Sequence, residues 1–376
     1  MRILTTPLFF LAPAMAALTA CGGGGDAPDS VTAQAAQAPV AAQAAMPAVI
    51  QVAEASIMTA PAAQVTETSA SIPLASAYAI TDSARIAAAT ATAQSSTNAC
   101  APIRPFYWEI GNSTAKSASG SIKSSTSTAT ITATMPMSIA SASKWIYGGY
   151  VVQQRNAVLS ANDLALLSMR GGYTNFNGCL QNQTVDACVA YGTNGLLTQA
   201  NVGKFDYGGG HMEKHASLMG LGAMNNKTLA AAIQSVIGTD VPVLYSQPQL
   251  AGGVVTSADV YARFLRKVMA GQLKMGAMLG SNAVCTNKAT CPNGQAVFAP
   301  IPPNESWHYS VAHWVEDDPK VGDGAFSSPG AFGFYPWIDK SHSFYGILAR
   351  FVPGGAFDSV SCGRLIRKAW MTGAAV

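Results

Sequence analysis

Hydrophobic residues recur at helical spacing in the middle of the chain and at strand spacing toward its end. Between Ser257 and Ala270, Val260, Phe264 and Val268 stand four apart and Gly271 follows as a stop. That spacing predicts a helix with one buried stripe. The stretch Trp145-Ile146-Tyr147 to Tyr150-Val151-Val152 is apolar nearly all round, as a helix in the centre of a core must be. The last third differs. Trp307–Val315, Ala325–Ile338 and Ser343–Phe351 carry aromatic and branched residues punctuated by Gly and Pro, which predicts strands. Phe106–Gly111 and Gly120–Ile122 suggest early strands. A last helix is expected near Cys362–Met371, with Leu365, Ile366 and Trp370 on one face. Strands at both ends of a helical middle predict an α/β (α+β) fold: an antiparallel sheet formed by the N- and C-terminal parts, flanked by helices, with a helical subdomain.

Composition changes this picture at the N-terminal end. The chain has 376 residues, 49% hydrophobic and 11% charged, with a net charge of +3. That balance argues against a nucleic-acid binder, which usually shows a dense basic patch. No apolar run reaches the roughly 18–20 residues that span a bilayer. The averages conceal two kinds of chain. Residues 22–99 hold 26 Ala in 78 positions, one aromatic residue (Tyr78), one Arg and five acids. So few large side chains cannot offset the entropy of ordering, so residues 22–98 are expected to be an Ala-rich flexible tether, with short helical pieces such as Ala84–Ala93. Residues 99–376 are expected to form the folded domain.

The first residues read as an address. Met1-Arg2 precedes an apolar stretch from Leu8 to Ala17, a secretory signal pattern too short for a membrane span. It ends in Leu18-Thr19-Ala20-Cys21, which resembles the bacterial lipoprotein lipobox. The resemblance implies a signal peptide over 1–21, diacylglycerol on the Cys21 thiol and stable anchoring by acyl chains. Gly22 after Cys21 implies export to the outer membrane, on its periplasmic or surface side. Six further cysteines, Cys100, Cys179, Cys188, Cys285, Cys291 and Cys362, are an even set that suits disulfides in an exported chain. Fifteen pairings are open. Closeness favours Cys179–Cys188 and Cys285–Cys291, leaving Cys100 and Cys362 to join the ends of the domain. No C-x-x-C spacing exists, so no metal is expected.

The candidate chemistry lies at Ser141-Ala142-Ser143-Lys144. Residues three apart share one helix face, so the Ser141 hydroxyl and the Lys144 amine can meet. A serine hydroxyl needs a neighbouring base. A lysine serves if burial lowers its pKa, or it can hold a tyrosine as phenolate. A second Ser-x-x-Lys, Ser113 to Lys116, lies in a polar stretch and reads as a turn. The copy at Ser141 follows a β-like run from Thr128 to Ile131 and precedes the apolar helix.

With that motif in place, the chain resembles the serine β-lactamase and penicillin-binding-protein superfamily, most closely its class C-related esterases and amidases. Asn162 to Tyr173, with Leu166-Leu167-Ser168-Met169-Arg170-Gly171, is similar to one of the family's segments. Leu250-Ala251-Gly252-Gly253 through Thr256-Ser257-Ala258-Asp259 to Phe264 is similar to another, and Phe326 to Asp339 to a late strand. The resemblance covers roughly residues 100–372. It implies a tyrosine beside the nucleophile as proton carrier. Tyr207, in Phe205-Asp206-Tyr207, is the better match, while Tyr173-Thr174-Asn175 fits Tyr-x-Asn literally. It also implies an oxyanion hole from the amides of Ser141 and Ala331, beside Gly330, with Ser328 as a donor to substrate.

The sequence departs from the family at two places. Gly209 stands where β-lactamases carry Asn, and Ser328-Pro329-Gly330 where they carry Lys-Thr-Gly. Both changes remove groups that hold penicillins and D-Ala-D-Ala peptides. The expected enzyme is therefore a serine hydrolase acting on a small-molecule ester or amide, without cofactor. The alternatives are a D,D-peptidase or β-lactamase, and an idle binding lipoprotein on the same fold. The expected partners are the substrate and, through Cys21, the membrane, with no nucleic acid. His211 and His215 are a weak metal edge, and His211 could assist Tyr207. The aromatic residues Trp145, Tyr173, Trp307, Trp314 and Trp337 suit either a cleft wall or core.

Overall fold

A computed structural model describes residues 80–376. The signal peptide, Cys21 and most of the expected tether lie outside the described residues. The early and late strands of the described residues meet in one eight-stranded antiparallel sheet. Strand β1 (Phe106–Gly111) is buried along its whole length and pairs on one side with β2 (Lys116–Ile122) and on the other with β13 (Tyr345–Ala349). A strand covered on both faces reads as a continuous apolar run, which is why Phe106-Tyr107-Trp108 stood out. The turn between β1 and β2 is held by the Asn112 side-chain Oδ1, which accepts from the amides of Thr114 and Ala115. The second Ser-x-x-Lys copy is therefore a turn.

Beyond β13 the sheet continues through β12 (Tyr335–Ile338), β11 (Ala325–Ser327), β10 (Trp314–Glu316), β9 (His308–Tyr309) and β7 (Val284–Cys285). Two expected strands are in fact hairpins. Trp307–Val315 folds back on itself at Ser310–His313, where the Ser310 amide donates to the His313 carbonyl and Ala312 adopts φ 61°. Ala325–Ile338 is interrupted from Ser328 to Phe334, because Pro329 cannot donate to a ladder and Gly330 must pass against Ile139. A Cβ at Gly330 would lie 2.0 Å from the Ile139 carbonyl oxygen.

The helical middle is built around α2 (Ser143–Gln154), buried from Ser143 through Val152. Gly148 lets it press on the β9–β10 hairpin, since a Cβ there would meet the Ala312 methyl at 2.5 Å. Around it lie α3 (Ala161–Leu167), α4 (Val185–Val189), α5 (Gly210–Ala216), α6 (Asn226–Ile237) and α7 (Ala258–Met269). The expected stripe of α7 is present, capped by Ser257 and ended before Gly271 at φ 70°. Two small sheets join the halves. One is β3 (Met137–Ser138), β6 (Val254–Thr256) and β5 (Leu244–Tyr245), and the other pairs β4 (Phe205–Asp206) with β8 (Ala296–Phe298). The strand before the nucleophile is β3. Thr128–Ile131 is not a strand, for only Ile131 of that run is buried and no apolar face pins it to a sheet.

Three cysteine pairs stand at disulfide distance: Cys100–Cys362, Cys179–Cys188 and Cys285–Cys291. The first ties the entry to β1 onto the last helix, α8 (Ala356–Thr372). Among the described residues no helix is long and apolar enough to cross a membrane.

The expected tether over 22–98 includes residues that are folded. Residues Asp82–Gln94, expected within it, form helix α1, which packs on α8 and buries Ala88, Ala89, Thr92 and Ala93. Small side chains let two helices approach closely, so an alanine-rich face can dock without large apolar groups. The Arg85 guanidinium donates to the Trp370 carbonyl at 3.0 Å, and the Val376 amide donates to Thr92 Oγ1 at 2.9 Å. Ala89→Asp is therefore expected to lower unfolding free energy by about 2–4 kcal/mol, because it buries an unpaired charge. Ala91→Asp, on the exposed face, should stay within about 0.5 kcal/mol. Urea denaturation of the two variants checks this, and equal stability would return the segment to the tether.

Candidate active site

The nucleophile candidate sits on a constrained turn. After β3, Ala140 adopts φ 45°, a left-handed conformation that costs a non-glycine residue energy. Ala140–Ala142 then make one tight turn before α2 begins. Four ties hold this turn from different elements. The Ile139 amide donates to the Val254 carbonyl, and the Val254 amide donates to Ser143 Oγ, each at 3.1 Å. The Tyr261 hydroxyl of α7 donates to the Ala142 carbonyl at 2.8 Å. Ser328 Oγ donates to the Ser141 carbonyl at 3.0 Å. Ser328 was expected to serve the substrate; its hydrogen is instead committed to the backbone of the turn.

One helical turn further on, Lys144 Nζ donates to Ser141 Oγ at 3.0 Å and to the Ala251 carbonyl at 2.8 Å. No carboxylate among the described residues pairs with it. Burial alone holds the Lys144 amine down to about 7. Tyr207, just after β4, is tied by its amide to the Phe298 carbonyl at 3.0 Å. Its ring stacks on Trp314, with centroids 5.1 Å apart, and Lys144 Nζ lies 4.7 Å from its centroid. Burial pushes the Tyr207 phenol up to about 12, against the pull of the Ser141 side chain. Tyr173 lies elsewhere, with the Lys214 ammonium 5.9 Å over its ring, and lines neither cavity at Ser141.

Ser141 stands where two cavities meet. A wide arm of about 510 Å³ is lined by Lys144, Phe176, Gln247, Gln249 and Phe332 among others. A narrow arm of about 180 Å³ is lined by Tyr207, Trp307 and Trp314. Ala331 borders both. The amides of Ser141 and Ala331 have no acceptor among the described residues. A groove of about 560 Å³ along α6 is larger, but neither Ser141 nor Lys144 lies in it. Trp145 and Trp337 are fully buried in the core rather than in the cleft wall.

The sequence did not point to Phe176, to the Ala251 carbonyl or to Phe298. Phe176 fills the space beside Gly209, where a Cβ would lie 2.5 Å from its ring. Its only signal was an aromatic residue in the Cys179 loop. His211 and His215 do not form a metal edge. His215 is held between the Tyr147 hydroxyl at 2.7 Å and Asp163 Oδ1 at 2.8 Å. His211 is buried with Nδ1 3.4 Å from the Gly208 carbonyl oxygen, and burial keeps its imidazole down to about 4. The cluster of Cys179, Cys188 and Glu213 has both sulfurs joined to each other, so it offers no thiolate.

No family model matches the sequence, and no curated protein matches it. Solved structures match in fold. EstCE1, a hydrolase with promiscuous acyltransferase activity, has a TM-score of 0.54 at 10% identity, covering 77% of this chain and 99% of its own. A protein of Bacteroides dorei DSM 17855 assigned as a β-lactamase has a TM-score of 0.50 at 18% identity, covering 70% and 93%. A D-stereospecific amidohydrolase from Streptomyces sp. has a TM-score of 0.50 at 12% identity, covering 78% and 100%.

The unpaired amine predicts a pH signature in stability. Its ordinary value is 10.5, so between about 7 and 10.5 the unfolded chain holds a proton that the folded chain has shed. Stability from this group therefore rises with pH across that window. Lys144→Met should exceed the wild type most at pH 6–7, with the gap narrowing toward pH 10, as urea denaturation at several pH values would show. A gap independent of pH would mean the amine is charged when folded.

Proposed function

On the serine β-lactamase-like fold that this chain has, we propose a serine hydrolase that cleaves an ester or small amide through a covalent acyl-enzyme on Ser141. The observation that carries the reading is the Lys144 amine, buried, without a counter-ion and 3.0 Å from Ser141 Oγ. Ser141 Oγ attacks the carbonyl carbon while its proton passes to neutral Lys144. Tyr207, protonated, gives its phenolic proton to the leaving oxygen or nitrogen as that bond to the acyl carbon breaks. Lys144 then returns a proton to Tyr207. Water loses a proton to Lys144, attacks the ester, and Ser141 recovers its hydroxyl as the acid departs. The unpartnered amides of Ser141 and Ala331 are suited to the oxyanion.

The assignment of base and acid follows from the two environments. An amine lowered to about 7 takes a proton, and a phenol raised to about 12 gives one. Among the described residues Lys144 is the only lysine or arginine lining either arm, and Pro329 offers neither a cation nor an N–H. A substrate carboxylate thus has no fixed partner, which favours an ester or amide over penicillins and D,D-peptides. For the N-terminal address we propose export and lipidation at Cys21, anchoring the domain to the outer membrane; the three disulfides suit an oxidising compartment.

A fluorophosphonate probe followed by intact-mass analysis should add one label to wild type and none to Ser141→Ala. Labelling of both proteins alike would remove Ser141 from the reaction, and labelling of neither would favour an idle binding protein. For whichever ester is turned over, kcat/KM should climb with pH through an inflection near 7, as Lys144 loses its proton. Tyr207→Phe should lose on the order of 10²–10⁴ in kcat. A pH profile flat from 5 to 9 would contradict lysine as the base.

A further inference from the structure

The two arms are lined unequally, and the difference assigns the two sides of the scissile bond. Tyr207 lines the narrow arm and not the wide one, while Lys144 lines the wide arm and not the narrow one. A general acid must reach the atom it protonates within hydrogen-bond distance. The leaving atom therefore lies on the Tyr207 side, and the acyl chain runs into the wide arm past Gln247 and Gln249. Apart from Ser141 and Tyr207, the narrow arm is bounded by Phe298, Pro300, Trp307, Trp314, Pro329 and Phe357, with alanines between. Its volume, about 180 Å³, is close to the roughly 150 Å³ of an apolar cavity that holds one benzene ring.

Charge supports the same division. The Arg364 guanidinium lies 4.9 Å over the Trp307 ring. Its donors are bonded to Glu305 at 2.9 and 3.2 Å and to Glu316 at 2.9 Å, so it has no free charge to offer a ligand. Trp307, whose Nε1 donates to Glu305 Oε2 at 2.6 Å, thus borders a guanidinium already paired with carboxylates.

Resting on the acyl-enzyme reading above, we infer that the narrow arm is a leaving-group site for an uncharged alcohol bearing one aromatic ring or an apolar group of that size. The acyl carbon–oxygen bond breaks, Tyr207 supplies the proton, and the neutral alcohol forms inside the arm. Phe298 is 54% exposed and stands at the mouth, so the product leaves past a side chain that can move.

The test is a series of esters of one acid whose leaving alkoxides have similar basicity: methyl, benzyl, 4-carboxybenzyl and diphenylmethyl. Burying one ring should raise kcat/KM for benzyl over methyl by roughly 10- to 100-fold. The 4-carboxybenzyl ester should fall about 100-fold below benzyl, because its charge finds no partner. The diphenylmethyl ester should lose the benzyl advantage, since a second ring exceeds the volume. Phe357→Ala, with Phe298→Ala as a second variant at the exposed mouth, should bring the benzyl-to-methyl ratio toward one. Equal kcat/KM across the series, in a protein that labels at Ser141, overturns the arm and leaves the hydrolase standing. Absence of label at Ser141 overturns the hydrolase and, with it, any leaving group for the arm.

Discussion

The structure turns on one amine held in the core without an opposing charge. Among the described residues, three lysine or arginine side chains are buried: Lys144, Arg350 and Arg367. Arg367 pairs with Glu316 and Asp323, and Arg350 with Asp358. Lys144 alone has a carbonyl and a hydroxyl as its partners. A protein that neutralises its other buried cations and leaves this one bare places a neutral base at the one point where a hydroxyl stands beside it. In the reaction proposed above, the arrangement gives up stability for a base that works near neutral pH, as expected where active-site needs and folding needs conflict.

That arrangement depends on the turn before α2 staying fixed. Ala140 at φ 45° would relax if it were not over-determined. The restraints come from both halves of the fold: β6 and α7 on the helical side, and the Ser328 segment on the sheet side. Gly330 matters for the same reason. Only a residue without a Cβ allows the sheet segment to come against Ile139, which brings the Ala331 amide beside Ser141. Sheet and helices thus each contribute one wall and one oxyanion candidate, and the sheet closed by early and late strands keeps them in register.

Much of this was legible in the chain. The Val260, Phe264, Val268 stripe and the apolar run after Lys144 gave α7 and α2, because helix periodicity is a local signal. The apolar run also separated Ser141 from the copy at Ser113. Cysteine spacing gave the two short pairings. Other features were hidden for definite reasons. The Ala251 carbonyl is a backbone group 107 residues from Lys144, and any residue type supplies one. Phe176 is brought to Gly209 by a loop, with no periodicity to mark it. The split of Ala325–Ile338 follows from a close approach to Ile139 that no strand propensity encodes. A helical piece at Ala84–Ala93 was expected, but not its packing on α8, because alanine is read as featureless in a count of large apolar groups, although it is well suited to a close helix contact.

The departures from the Asn and Lys-Thr-Gly patterns are better read as replacements than as losses. Beside Gly209 the aromatic ring of Phe176 takes up the space, so the wide arm gains a flat apolar wall where an amide would have stood. Ser328 stands in place of the cation, and Pro329 replaces the threonine hydroxyl with a rigid ring facing the narrow arm. Each change removes a polar group and supplies apolar surface, and neither touches the Ser141, Lys144 and Tyr207 contacts. Degeneration of an unused site would leave cavities or unpaired groups at such positions. Here Ser328, the first residue of that triplet, donates to the Ser141 carbonyl, and the Lys144 amine has both of its partners. Proton placement points the same way. Burial lowers the amine to about 7 and raises the phenol to about 12, so both environments keep the proton on Tyr207. The pair therefore rests as neutral base and neutral acid, the state in which a serine can be deprotonated and a leaving group protonated in a single passage.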